Sequence, residues 1–159
     1  MKLLVFSDSH GCTTGMDIAI RNTPIIDAII FCGDVARDAD YLHDVYSPIP
    51  LYAVCGNNDF YSQYPYQMTV SFGGVQTYIT HGHFEHVKYG TSALAEQCRM
   101  NDCALCFFGH THQPAVVDAG GLTLVNPGSI RSTVSGTFSV VTIENGNVTA
   151  VNRRISDFN

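Results

Sequence analysis

The stretch FFGHTHQP, residues 107–114, ends an apolar run with a glycine, two histidines one residue apart and a proline. Alone, it is typical of a strand that ends in a turn, because glycine and proline favour turns and polar residues fill them. Four other apolar runs end in a similar way, in LLVFSDSHG, AIIFCGD, YAVCGNND and TYITHGH. The repetition carries more information than any single run.

These five runs predict short strands that are buried on both faces. Segments 13–22, 38–45 and 90–101 lie between them and have the apolar spacing of helices. Residues 114–129 and 136–154 contain Gly-Gly and Asn-Gly turns, which are typical of hairpins. We therefore expect an α/β fold, with a second and largely antiparallel sheet formed by the C-terminal third.

Composition sets the outer bounds. A chain of 159 residues with 45% hydrophobic content is long enough for one domain, residues 1–159, with a sizeable core. The net charge is −6 with only 8 Lys and Arg, which argues against binding to nucleic acid or to anionic membranes. Residues 1–8 are too short for a secretory signal, and no apolar run approaches the ~20 residues of a membrane span. We expect a cytoplasmic protein that acts on a small soluble molecule, and a homo-oligomer is compatible with this.

The six cysteines raise a separate question. A disulfide framework is not indicated without an export signal. Cys103 and Cys106 have CxxC spacing and Cys98 is near, which would also fit a zinc knuckle or a redox pair. No second CxxC or paired histidine follows at finger spacing, so a helix end followed by a buried strand is the favoured interpretation.

The polar residues at the run ends each have an ordinary alternative. Asp8 and His10 would share a face in extended backbone, but such a pair is common in turns. Asp34 would serve equally as a helix N-cap. GNND, residues 56–59, fits a solvated turn, and the pair in HGH, residues 81–83, fits buried histidines. Ligands bind beyond the carboxyl ends of strands in α/β sheets, and five such clusters together therefore predict one converging site.

In chain order, the motifs DSH, GD, GNND, HGH and GHTH resemble those of the calcineurin-like metallophosphoesterases, DxH, GD, GNH[D/E], H and GHxH. The short length, GNxD and LVNPGS at residues 124–129 are similar, more narrowly, to the small bacterial and archaeal phosphodiesterase branch. A retromer scaffold subunit is also similar to that branch. The resemblance implies a four-layer αββα sandwich with a metal site at the strand ends.

The resemblance also implies two divalent metal ions per chain, bridged by Asp34. His110 and His112 would project toward one face about 6–7 Å apart, each to a different ion. Imidazole, carboxylate and a neutral amide suit manganese first, with nickel, zinc or iron as alternatives. The implied ligands are Asp8, His10, Asp34 and His112 for one ion, and Asp34, Asn57, His81 and His110 for the other.

The implied activity is a metal-dependent phosphodiesterase that hydrolyses a small soluble phosphoester by a metal-activated hydroxide. The alternative is a catalytically weak metal-binding scaffold for protein interactions. Retention of all seven ligand positions favours the enzyme. A nuclease is a narrower interpretation, and the acidic balance of the chain counts against it.

The sequence departs from the family at Asn58, where GNH[D/E] has a histidine and an amide cannot supply a proton. We expect Asp59 to orient a neighbouring histidine. His83 would lie on the same face as His81 in extended backbone and partly replace the missing histidine. The aromatic stretch 60–67 would line a cleft, pack as a loop or form a subunit contact, and Arg131 is the nearest downstream cation.

Overall fold

Two five-stranded sheets form the framework of residues 1–158, the part of the chain that the computed structural model describes. In the first sheet, short apolar strands alternate with helices, so that β1, β2 and β3 run parallel. The first sheet has the order β10-β9-β1-β2-β3. Its elements and their connecting helices are β1 (Lys2–Phe6), α1 (Thr13–Arg21), β2 (Ala28–Phe31), α2 (Ala36–Tyr46), β3 (Leu51–Ala53), β9 (Thr137–Glu144) and β10 (Asn147–Arg154).

The second sheet has the order β4-β5-β6-β8-β7. Its central strands β5, β6 and β8 run parallel, and its edge strands β4 and β7 run antiparallel to their neighbours. Short 3₁₀ helices lie at Val87–Tyr89 and Ile155–Phe158. The elements are β4 (Gln67–Phe72), β5 (Val75–Thr80), α3 (Ser92–Met100), β6 (Leu105–Phe107), β7 (Ala115–Asp118) and β8 (Thr123–Asn126).

Three apolar clusters stack these elements in four layers. One cluster lies between the sheets, where Leu3 and Val5 share a core with Ile79 and Phe107. A second packs α1 and α2 on the outer face of the first sheet. A third packs α3 on the outer face of the second sheet. The α/β class and the αββα layering are therefore confirmed.

The C-terminal strands do not form a sheet of their own, and this part of the expectation is corrected. The hairpins at Gly120-Gly121 and Asn145-Gly146 exist, but β7 and β8 join the second sheet and β9 and β10 join the first. Each sheet is consequently mixed, with two parallel and two antiparallel pairings. The physical reason is the free edge of β1, whose backbone groups need a partner that β9 supplies, with Leu3 opposite Val141.

The structure places the cysteines of the CxxC segment in the core, as the favoured interpretation of the sequence predicted. All six are free thiols. Cys98, Cys103 and Cys106 lie in the apolar cluster beneath α3. The CxxC spacing therefore marks a helix end and a buried strand.

Two further predictions from the sequence concern membrane spans and the extent of the domain, and the single domain stays a prediction. Within residues 1–158, no helix has both the length and the apolar character needed to cross a membrane. Asn159, the last residue of the expected domain, lies outside the described residues.

The core between the sheets gives a first prediction. Ile79 is fully buried there, so Ile79→Ala should lower the free energy of unfolding by about 2–5 kcal/mol through lost burial and a residual cavity. Val151, on β10, is 48% exposed, and Val151→Ala should stay within about 0.5 kcal/mol of the parent. Urea unfolding of both variants checks this, and equal losses would contradict the assignment of the core.

Candidate metal centre

The polar motifs meet at the seam between the two sheets. Asp8 and Asp34 follow β1 and β2, and Asn57 follows β3, all at the carboxyl edge of the first sheet. His81 and His110 follow β5 and β6 at the carboxyl edge of the second sheet. Because both edges face the same seam, five loops bring their side chains together, as the sequence predicted.

The local backbone differs from the extended form that the sequence suggested. Asp8, His10 and Asp34 have φ values of 53°, 48° and 71°, and His110 and His112 have 67° and 59°. All five lie in the left-handed region, which costs L-residues free energy. Residues held in such conformations are often found at functional sites. The side chains therefore converge because each loop curls back at its ligand position, and not because alternate residues share a strand face.

The first group consists of Asp8, His10, Asp34 and His112, whose nearest ligating atoms all lie within 4.8 Å of one another. His112 Nε2 is 3.1 Å from Asp8 Oδ1, and His10 Nε2 is 3.7 Å from Asp34 Oδ2. The Nε2 atoms of His10 and His112 face each other at 3.3 Å. These two side chains are about one third exposed, so this side of the centre is open to solvent.

Asp8 carries the clearest sign of a missing partner. Its Oδ2 accepts hydrogen bonds from Ser7 Oγ at 2.6 Å and from the His110 amide at 3.0 Å. Its Oδ1 is buried and accepts no hydrogen bond from the described residues, since His112 Nε2, although 3.1 Å away, forms no hydrogen bond with it. Burial raises the pKa of Asp8 to about 6, opposed by the hydrogen bonds to Oδ2. A cation beside Oδ1 would satisfy this oxygen and stabilise its negative charge.

The second group gathers around His81, which is fully buried. Its Nδ1 lies 2.7 Å from the Cys32 carbonyl, so it carries the proton and leaves the Nε2 lone pair free. That Nε2 lies 3.2 Å from both Asn57 Oδ1 and His110 Nδ1. Burial lowers the pKa values of His81 and His110. Neutral imidazoles and an amide oxygen thus point at one volume, as metal ligands do.

His112 shares this neutral state. Burial is the main cause that lowers its pKa, and the positive charge of Arg131 lowers it further. The donor set of both groups therefore fits divalent cations, because carboxylates and neutral imidazoles present lone pairs and few competing protons.

Asn58, which stands at the histidine position of the family motif, also enters the centre. Its Nδ2 donates to Asp34 Oδ2 at 2.8 Å, and its backbone amide donates to Asp34 Oδ1 at 3.1 Å. The side chain therefore orients the Asp34 carboxylate of the first group.

Asp59 does not orient a histidine, and that expectation is corrected. Its Oδ1 accepts from the amides of Val35 and Ala36, at the start of α2. Its Oδ2 accepts from the amides of Asp34 and Gly56. Four backbone donors occupy the buried carboxylate, which stabilises the helix N-terminus and joins two loops of the centre.

His83 lies at the rim of the centre, but the backbone between His81 and His83 is not extended as expected, because Gly82 turns with a φ of 97°. Its ring centroid is 5.5 Å from that of His81 and 6.2 Å from that of His110, and its ring packs at a tilt against Phe84, with 4.1 Å between the centroids. Its Nδ1 is buried without a hydrogen-bond partner within residues 1–158. Burial lowers the pKa of His83.

The aromatic stretch 60–67 divides between two environments. Phe60, Tyr61 and Tyr64 line an open cleft of about 920 Å³ that borders Asn58. Tyr66 instead packs edge-on against the Phe84 ring at 5.3 Å. The cleft interpretation therefore holds for the first part of the stretch.

Three supporting residues were missed from the sequence. Ser7 holds Asp8 Oδ2, and Ser129 Oγ donates to the Asp8 carbonyl at 2.7 Å. Buried Glu85 accepts from the hydroxyls of Tyr78 and Thr80 and fixes the loop after His81. No spacing rule identifies them, since Ser129 is 121 residues from Asp8, and short-range serine and glutamate contacts such as those of Ser7 and Glu85 have no motif of their own.

Comparison with known proteins places this geometry in a family. "Probable metallophosphoesterase YsnB" of Bacillus subtilis is 29% identical over 150 residues, which span 91% of this chain and 86% of that protein. Two solved structures share the fold. Vps29 of Entamoeba histolytica complexed with Zn²⁺ is 20% identical with a TM-score of 0.75, covering 98% of this chain and 99% of that one. A novel archaeal phosphodiesterase is 19% identical with a TM-score of 0.74, covering 96% and 100%.

The family profile gives the assignment directly, since it matches residues 1–146, which contain every motif of the centre. The chain belongs to the calcineurin-like phosphoesterase superfamily.

Proposed function

We propose that the protein is a di-metal phosphodiesterase that hydrolyses a small phosphoester. The observation that carries the proposal is the convergence of carboxylate and imidazole side chains from both sheets, above all Asp8 with its buried Oδ1, which accepts no hydrogen bond. Family membership supports a hydrolase of phosphoesters and the binding of divalent metal. The preference for diesters and the presence of two ions are our extension.

Asp34 would be shared by both ions, because it belongs to the first ligand group and is held by Asn58 beside the second. Manganese is the first candidate metal, with nickel, zinc or iron as alternatives, since mixed nitrogen and oxygen donors suit these ions. When bound, such ions activate water near neutral pH and neutralise negative charge on a phosphoester. The proposed sets are Asp8, His10, Asp34 and His112, and Asp34, Asn57, His81 and His110.

The histidines, Asn58 and His83 determine how metal and substrate would be bound and whether the leaving group receives a proton. The neutral histidines keep their ring nitrogens free to bind cations. Asn58 holds the Asp34 carboxylate and offers no proton. The neutral His83 at the rim can donate a hydrogen bond from its ring N–H to an oxygen of the ester. An enzyme without a strong acid should favour substrates whose leaving group departs without a proton.

The alternative is a catalytically weak metal-binding scaffold for protein interactions. The fold shared with Vps29 favours it, and metal binding alone would not distinguish the two. Turnover distinguishes them, because a scaffold would bind metal and hydrolyse none of a panel of phosphomonoesters, phosphodiesters and cyclic nucleotides. A cytoplasmic location, a homo-oligomer and the lack of nucleic-acid binding stay predictions from the sequence.

The shared carboxylate gives a second prediction. Asp34→Asn should lower kcat for bis(p-nitrophenyl) phosphate by about 10²–10³-fold, because it removes a buried negative charge between two cations. Asn57→Ala should cost only about 10-fold, since it removes one neutral ligand. Metal content per chain, measured by mass spectrometry after manganese loading, should fall further in Asp34→Asn.

Glu96→Gln is the matched control, because Glu96 lies on the exposed face of α3 and lines neither the aromatic cleft nor the metal centre. It should retain parent activity and metal content. Two ions per chain and normal turnover in Asp34→Asn would refute the bridging role. Full activity in the chelated protein would refute the metal mechanism as a whole.

His83 gives a third prediction. Hydrogen-bond donation to a leaving oxygen matters most when that oxygen is basic, so His83→Ala should slow an alkyl diester by about 10²-fold. Hydrolysis of a p-nitrophenyl diester should slow much less. Introduced into the parent, Asn58→His should reduce the difference in rate between the two diesters, because it restores a donor. Steady-state rates on both esters measure this.

The control is His86→Ala, an exposed histidine on the same loop. It should leave both rates unchanged. Equal losses on the two esters in His83→Ala would assign His83 to phosphate binding, and no loss would exclude it from the reaction.

A further inference from the structure

A second cavity borders the metal centre on the side of His112. It encloses about 430 Å³ and is separate from the aromatic cleft, which borders Asn58. Arg131 and Arg154 both line it, although they are 23 residues apart in the chain. The cavity therefore connects the metal-centre residue His112 to two guanidinium groups.

The two arginines are free of acidic partners. Neither forms an ion pair with any residue of the described chain, and the lining contains no Asp or Glu. The nearest acid in sequence, Asp157, is engaged elsewhere, by Arg153 Nε at 3.8 Å and by the backbone amide of Arg154. The cavity is thus positive in a protein of net charge −6, and the field there favours an anion.

Hydroxyl groups complete the lining. Ser132 Oγ accepts from the amides of Val134 and Ser135, at 3.2 and 3.0 Å, so its own proton is left to donate. Ser135 and Ser156 add two more hydroxyls. Two guanidinium forks and several O–H donors suit a tetrahedral oxyanion with many acceptor oxygens better than a planar carboxylate.

The walls of the cavity are fixed by the backbone. The Gly136 amide donates to the Ser132 carbonyl at 2.9 Å, and the Ile155 amide donates to the Gly136 carbonyl at 2.9 Å. These bonds tie the loop that carries Arg131 to the segment that carries Arg154. A Cβ at position 136 would collide with the Ser132 carbonyl oxygen, so glycine is required for this closure.

We propose that this cavity binds a second phosphate group of the substrate. The substrate class would then be a phosphoester that carries a further phosphate beyond the one that is cleaved. The inference rests on the proposed function for the cleavage step, but the binding of phosphate at Arg131 and Arg154 does not depend on turnover.

Binding of inorganic phosphate to the chelator-treated full chain tests the cavity alone. Calorimetry at low ionic strength, with folding checked by circular dichroism, should show one site per chain. The double variant Arg131→Met/Arg154→Met should bind at least about 10-fold more weakly, because charge-assisted hydrogen bonds are lost. The double variant Arg21→Met/Arg99→Met removes the same two charges from exposed positions outside the cavity and should bind as the parent does. Equal binding in all three proteins would overturn the proposal.

Hydrolysis by the manganese-loaded enzyme tests the substrate class. Two esters form a matched pair, thymidine 5′-(p-nitrophenyl phosphate) and the same ester with an added 3′-phosphate. The parent and Arg21→Met/Arg99→Met should prefer the phosphorylated ester in kcat/KM by about 10-fold or more, and in Arg131→Met/Arg154→Met the ratio should fall toward one. Phosphate binding without any such preference would assign the cavity to free phosphate and overturn the substrate claim. If the parent cleaves neither ester, the proposed function is contradicted. The cavity assignment still stands in that case, provided that the parent binds phosphate and Arg131→Met/Arg154→Met does not.

Discussion

The centre depends on how closely the loops of the first sheet approach one another. Gly33 and Gly56 lie back to back, and a Cβ on Gly33 would lie 2.6 Å from the Gly56 nitrogen. A Cβ on Gly56 would lie equally close to the Asp34 nitrogen. Only glycine at both positions allows the β2 and β3 loops to touch, and this contact brings Asp34 beside Asn57 and Asn58. From the other sheet, Gly109 packs against Ser7 and Asp8 with no room for a side chain.

Close approach is combined with unfavourable local conformation. Five of the proposed ligands have left-handed backbone, at an order of 1 kcal/mol each, and one buried oxygen of Asp8 has no hydrogen-bond partner. The rest of the fold must offset these costs, and the three apolar clusters on and between the sheets do so. The fold holds carboxylate oxygens and imidazole nitrogens close together, although their lone pairs repel one another. Such an arrangement is typical of a prearranged binding site and not of an apolar core.

Much of this was predictable from the sequence because it is local. The five strand ends, the three helices and the convergence of the polar side chains followed from apolar runs and the order of the motifs. The crossing of β9 to the edge of β1 did not, since strand pairing over more than 130 residues leaves no local signal. The left-handed ligands were also missed, because alternation suggests extended backbone and only tertiary contacts hold Asp8 or His110 in the rarer region. Asp59 was misread for the same reason: its partners are backbone amides, which every residue but proline possesses.

Asp59 has a mechanical consequence for the centre. Its carboxylate holds amides from the loop after β2, from the first residue of α2 and from the loop after β3, all within one buried group. Neither loop can shift without breaking hydrogen bonds that belong to the other. Asp34 and Asn57 therefore move as a single body, whereas His10 and His112 are about one third exposed and have no comparable anchor among the described contacts. The side of the centre that carries Asp34 and Asn57 is therefore rigid, and the side that carries His10 and His112 is less constrained. Adjustment to ions or substrates of different size falls to His10 and His112.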